Sequence, residues 1–266
     1  MLEESPPAGV RSGLLVAWGS AFLAGRAALA PAARAAGEAD GEVVVAPDLT
    51  GLERLLARLR ADGVTRLELV LPVPGDARGL PGPGAFSTEA LLAGEGVLTV
   101  GCGPTREGLV PSTEVFGPAG DTGTLTTWTG YAVDQPELLA PPRLTVAEAE
   151  ADLRVALAEA TRELARLETA RWRRDVEAPI AELRRTTRSG RGPAAELPPG
   201  YPTRARTLLA QADALAAVLA LADGDPGAAA TSAQVQARGA ALRELAHAVR
   251  RARLAAYNGF EDARVS

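Results

Sequence analysis

The chain has 266 residues, 47% of them hydrophobic but only 4% aromatic, so it can bury a core built mostly from Ala, Leu and Val. A net charge of -5 excludes a protein whose main task is gripping phosphate backbones, and no nucleic acid partner is expected. All 28 basic residues are arginine, which removes Schiff-base and P-loop lysine chemistry, and single Cys and His residues leave no intramolecular disulfide and no Cys-rich or multi-His metal site.

Residues 1–12 begin with acidic residues and Pro6-Pro7, unlike a signal peptide, and read as a loose tail. GLLVAWG, a helix-spaced stretch and EVVVA then suggest a βαβ unit of a parallel sheet. Strand one is expected over Leu14–Ala17 and strand two over Val43–Ala46. Ser20 caps the intervening helix to about Ala36, and Pro31 implies either a kink or two short helices.

Leu52, Leu55, Leu56 and Leu59 form one helical stripe, with Glu53, Arg54, Arg58 and Arg60 on the wet side. Strand three follows at about Arg66–Leu71. The Gly/Pro-rich stretch 72–84 is a loop, Ser87 caps a helix through Leu92, and Val97–Val100 is strand four. Leu109–Phe116 and Thr124–Val133 read as an antiparallel hairpin at a sheet edge.

Pro136, Pro141 and Pro142 mark a boundary. Beyond it, Thr145 and Glu148 have capping-box spacing, and Leu153, Leu157, Ala160, Leu164 and Leu167 form an alternating seam. Residues 186–202 read as a polar linker or exposed loop; helices resume at 203–223 and 231–257, the last with a Leu242, Leu245, Val249, Ala252, Ala256 stripe. The expectation is therefore α/β: an N-terminal, mostly parallel sheet of about four βα units with an edge hairpin over 13–135, an all-α bundle over 143–258, and a tail over 259–266.

In such a sheet, ligands gather at the carboxyl ends of the strands. That rule nominates Trp18, Ser20, Asp48, Asp76, Cys102 and Thr105 for a small anion or polar metabolite, with no metal site and no identified cofactor. Ser20 could stand in a hydrolase-like triad with His247, but AWGSAF lacks the second glycine of a nucleophile elbow and Ser20 reads better as a cap. Cys102 reads as a small buried hydrophobe, and the Arg171–Arg191 cluster, interleaved with acids, as a solvated ion-paired face. With so thin a catalytic repertoire, the chain is expected to be a cytoplasmic, non-enzymatic interaction or scaffold protein, homo-oligomeric through its helical region. The alternative is a small-molecule-binding enzyme of transferase or hydrolase type. All apolar runs read as shorter than a membrane span needs.

Overall fold

The computed structural model describes residues 10–37, 42–101, 106–118, 121–133, 144–167, 196–223 and 232–260. The chain divides into two compact units. The first holds 1–142 with 196–201 and 260–266, and the second holds 143–195 with 202–259.

The first apolar run is helical. α1 spans Val10–Leu23, and Leu14–Ala17 lie within it fully buried. A short apolar run surrounded by protein does not reveal its period, so a buried helix and a buried strand look alike in sequence. Residues 10–12, expected in the tail, are its first turn. Gly19 lets α1 approach the sheet, since a Cβ there would lie 2.5 Å from Leu67 Cδ1. The chain breaks at 24–28 and continues as α2, Leu29–Gly37. There are thus two helices, and Pro31 falls in the first turn of the second, where its missing N–H is tolerated.

β1 (Glu42–Val45), α3 (Leu52–Ala61) and β2 (Val64–Val70) follow, with the four leucines of the α3 stripe all buried. α4 (Ala85–Ala93) starts at Gly84 without a side-chain cap. Ser87, expected to cap it, lies inside it and donates its hydroxyl to the Gly82 carbonyl. β3 (Gly96–Gly101), β4 (Arg106–Phe116) and β5 (Gly123–Val133) complete the sheet.

The strand order is β1-β5-β4-β3-β2. Only β1 and β5 are parallel; β5–β4, β4–β3 and β3–β2 are antiparallel. This corrects the expected mostly parallel sheet and its edge hairpin, because β4 and β5 are interior and β1 and β2 are the edges. With α1 helical there is no strand to close the first βαβ unit, so β1 finds its neighbour in β5 instead. Strand alternation then sorts the faces. α1 packs on the face carrying Leu67, and α4 covers the other, where Phe86 and Ala90 meet Val70, Leu98, Val110 and Val133.

Residues expected in linkers also join this unit. Leu197 and Tyr201 are buried, and Phe260, expected in the tail, is buried with its ring 5.7 Å from Tyr201 and the Arg26 guanidinium 4.8 Å above it. The expected proline linker (Pro136, Pro141 and Pro142) and the Arg171–Arg191 cluster lie outside the described residues.

In the second unit, α5 (Val146–Leu167), α6 (Thr203–Asp223) and α7 (Ser232–Asn258) pack with α7 against both others. The capping box forms: Glu148 Oε2 accepts the Thr145 N–H and hydroxyl at 2.8 Å each, and Thr145 Oγ1 accepts the Glu148 N–H at 3.2 Å. Those bonds hold the Glu148 carboxyl below its usual range. The expected α5 seam is met in part, at Leu153 and Ala160, with Leu164 half-buried. Val146, Ala149, Leu153 and Ala160 are buried, while Leu157 is 39% exposed. On α7 the expected stripe holds from Leu245 onward.

α6 is long and apolar enough to cross a membrane by length and composition, which corrects the expectation that no run reaches that length. Its N-terminal half is packed, with Ala205, Leu208, Leu209 and Ala212 buried. Asp213, in its middle, is ion-paired with Arg253 of α7.

Candidate functional site

The nominated residues go to separate places. Ser20 is 2% exposed inside α1, and its Oγ both accepts the Leu67 N–H (3.0 Å) and donates to the Leu67 carbonyl (3.3 Å). With its lone pair and its proton both engaged, it is a latch between helix and strand, and not a nucleophile. Ser20→Ala should destabilise the fold by about 1–3 kcal/mol, because two backbone groups of Leu67 lose their partner in the interior. Urea denaturation would measure this, and an unchanged midpoint would contradict the latch. His247 belongs to the other unit and is half-buried on α7.

Trp18 is half-buried, and its Nε1 donates to the Glu196 carbonyl at 2.6 Å. Asp48 is exposed in the turn after β1. Asp76 is buried and braces its own loop, accepting from Arg78 Nε (2.8 Å), Nη2 (2.9 Å) and backbone N–H (3.2 Å). That bonding raises the Arg78 guanidinium further above its ordinary value. Because β1 runs with β5 and three antiparallel steps separate β5 from β2, the chain leaves β1 and β2 at opposite edges and opposite ends of the sheet. Asp48 and Asp76 therefore do not share a pocket. Cys102 and Thr105 lie outside the described residues.

The structure gathers a different set. A cleft of about 410 Å³ opens between the end of α4 and the outer part of β4 and β5, lined by Arg11, Glu89, Glu95, Ser112, Thr129 and Tyr131 among others. Glu95 is 4% exposed; its Oε1 lies 3.6 Å from Arg11 Nη1 and its Oε2 accepts the Ser12 N–H at 3.2 Å. Glu89 is half-buried, with no ion pair among the described residues. Burial and, second, the Glu89 charge push the Tyr131 hydroxyl above its ordinary value. Two carboxylates against one guanidinium give this cleft a negative bias. Among the described residues no group of three or more His, Cys, Asp or Glu is placed to hold a metal.

Sequence reasoning missed this cleft. Arg11 lies in the stretch that reads as a tail, and Glu89 falls inside a helix that reads as an ordinary capped one. The available signal was Gly94-Glu95-Gly96, an acid held between a left-handed helix cap and the first residue of a buried strand.

The fold defines a protein of two parts, a five-stranded mixed sheet with helices on both faces and a separate helical unit. The chain belongs to the Rv1486c-like protein family, whose N-terminal domain matches residues 12–146 and whose C-terminal domain matches 147–254. No curated protein and no solved structure matches it.

Proposed function

We propose that this is a non-enzymatic interaction protein that self-associates through its helical unit, without nucleic acid or membrane as partner. The observation that carries this reading is the uneven packing of that unit. Arg251 lies near Asp152 (3.9 Å), Arg204 near Glu150 (2.8 Å) and Arg238 near the Ala222 carbonyl (3.4 Å). The C-terminal halves of α5 and α6 and the N-terminal half of α7 therefore share one end. At that end no described side chain beyond Ala160, beyond Ala212 or before Leu245 is buried, yet α6 from Ala214 to Ala222 is apolar throughout. Leu157, Leu221 and Val235 are exposed there. A stretch so apolar and so incompletely covered is the kind of surface a second copy covers.

The test is light scattering on the full chain across a dilution series, with Val218→Glu/Leu221→Glu as the matched variant. A dimer that the variant converts to monomer, with its thermal unfolding unchanged, supports the reading. A wild-type chain that stays monomeric at every concentration sinks it.

A second reading, a small-molecule-binding enzyme, is favoured by the cleft alone, now through Arg11, Glu89, Glu95 and Tyr131 and not through Asp48 and Asp76. A dose-dependent thermal shift with a metabolite would support it.

A further inference from the structure

The cleft has an unusual wall. β4 runs from Arg106 to Phe116, yet β3 is in register with it only at Gly108 and Leu109. At Glu107, the backbone N–H and carbonyl both turn toward β3, where Thr99 Oγ1 takes them at 2.9 and 3.0 Å. Backbone groups alternate sides along a strand, so Pro111, Thr113 and Val115 turn theirs the same way. Past Leu109 no strand lies on that side among the described residues, because at Glu95 the chain has already turned out of α4 to begin β3.

Among the described residues, this leaves a strand position in line with β3 without an occupant. One wall is the open edge of β4 (Pro111–Phe116), of which Pro111, Ser112 and Thr113 line the cleft, and the other is Glu89, Leu92 and Glu95 together with Arg11. The open edge is about 20 Å long at the usual rise per residue. It carries Val115 and Phe116, 64% and 51% exposed, and it is guarded against indiscriminate strand pairing by Pro111, which withholds one donor, and by the exposed charge of Glu114.

From this geometry we infer that the cleft is a peptide-docking site, in which an extended segment of a partner protein adds as a strand to β4 and sends a basic side chain between Glu89 and Glu95. Three features select this occupant. The N–H and carbonyl groups of Thr113 and Val115 and the Pro111 carbonyl ask for a backbone, which a small metabolite does not supply. Glu89 and Leu92 of α4 and Arg11 at the start of α1 line the opposite wall, so an occupant has protein on both sides, which suits a single segment better than the sheet edge of a second copy. The two carboxylates outweigh Arg11, and Glu89 in particular is half-buried with no ion pair among the described residues, so charge complementarity calls for Lys or Arg.

The inference deepens the interaction reading and rests on it, but its test is separate, because Val218→Glu/Leu221→Glu should leave peptide binding intact. The full chain is titrated, by fluorescence anisotropy, into a pool of fluorescein-labelled hexapeptides with arginine fixed at the third position and Ala, Val, Thr or Ser elsewhere. Matched pools carry glutamate in place of arginine, or N-methyl groups on alternate amides. The arginine pool should bind about tenfold or more tightly than either matched pool, which is the scale of one lost ion pair or backbone bond set. Glu89→Arg should reverse the charge preference. Val115→Pro, which removes one edge donor at an exposed position on the unpaired edge, should weaken binding without changing thermal unfolding.

Hydrogen exchange supplies an independent readout. The Thr113 and Val115 amides should gain protection on adding the arginine pool. Equal binding of all pools, absence of binding, or saturation by free arginine with no added protection at those amides would overturn the proposal, the last by assigning the cleft to a small molecule.

Discussion

Replacing Arg253 with methionine is expected to destabilise the helical unit by about 3–5 kcal/mol at neutral pH, because it strands a carboxylate that burial already disfavours. Asp213 on α6 sits 2.7 Å from both Nε and Nη2 of Arg253 on α7, and both contacts fall on Oδ1. Oδ2 is buried with no hydrogen-bond partner. Burial is the dominant influence and pushes the Asp213 carboxyl above its ordinary value, while the Arg253 charge and hydrogen bond pull the other way. The sign of the pH dependence follows. A carboxyl raised on folding favours the folded state most when protonated, so its contribution is full below the unfolded value, about 3.9, and is lost as pH rises through the raised folded value. Removing Arg253 takes away the opposing influences and raises Asp213 further. The deficit of Arg253→Met should therefore be largest at neutral pH and shrink as the solution is acidified through the Asp213 titration. Urea unfolding at pH 7.5 and pH 4.5 measures both. Asp213→Leu/Arg253→Met, which removes both charges, should recover most of the loss, since apolar replacement of a buried pair is often neutral or stabilising. A pH-independent loss, or a double variant as unstable as the single one, would show that Arg253 acts by packing.

Ion pairs of this kind were invisible in the sequence, whereas several local features were legible. The α3 stripe of Leu52, Leu55, Leu56 and Leu59 was readable because one face of that helix is wet and the contrast has a period. The Thr145–Glu148 box was readable because a cap is made by residues within one turn of each other. α1 was not, because Arg11–Ala17 is buried on all sides and carries no contrast to reveal a period. Sheet order was not, because whether β1 lies beside β2 or beside β5 depends on pairings between residues 83 apart in sequence, such as Val45 with Trp128.

The candidate site failed for the same reason. Asp48 and Asp76 were paired by a rule for parallel strands, and the antiparallel steps carry them to opposite ends of the sheet. The cleft that does form depends on where β3 begins relative to β4. That offset between two strands leaves no mark on either strand's composition.

α4 packs beside that offset, against β4 and β5, and the second large effect is expected where it meets the sheet. Phe86 is fully buried against Val70, Leu98, Val110 and Val133, and Phe86→Ala should cost about 3–5 kcal/mol through lost apolar contact and the cavity left behind. The ring rests on glycines. A Cβ at Gly96 would lie 3.2 Å from Phe86 Cε2, and one at Gly108 would fall inside the ring's van der Waals envelope at Cδ2. Gly108→Ala alone should therefore cost about 1–3 kcal/mol by forcing the ring, and α4 with it, away from β4. In the Phe86→Ala background the added methyl meets space and not a ring. The double variant should then be more stable than the sum of the single losses by about 1 kcal/mol or more, a coupling that denaturant unfolding of the four proteins would measure. Additivity within about 0.5 kcal/mol would mean that the ring is not seated on Gly108. The same displacement reaches the cleft, because Glu89 and Leu92, one helical turn and more beyond Phe86, form its wall opposite β4. Gly108→Ala should thus widen the groove and weaken binding of the arginine-bearing peptides, even though residue 108 touches neither the peptide nor its charge.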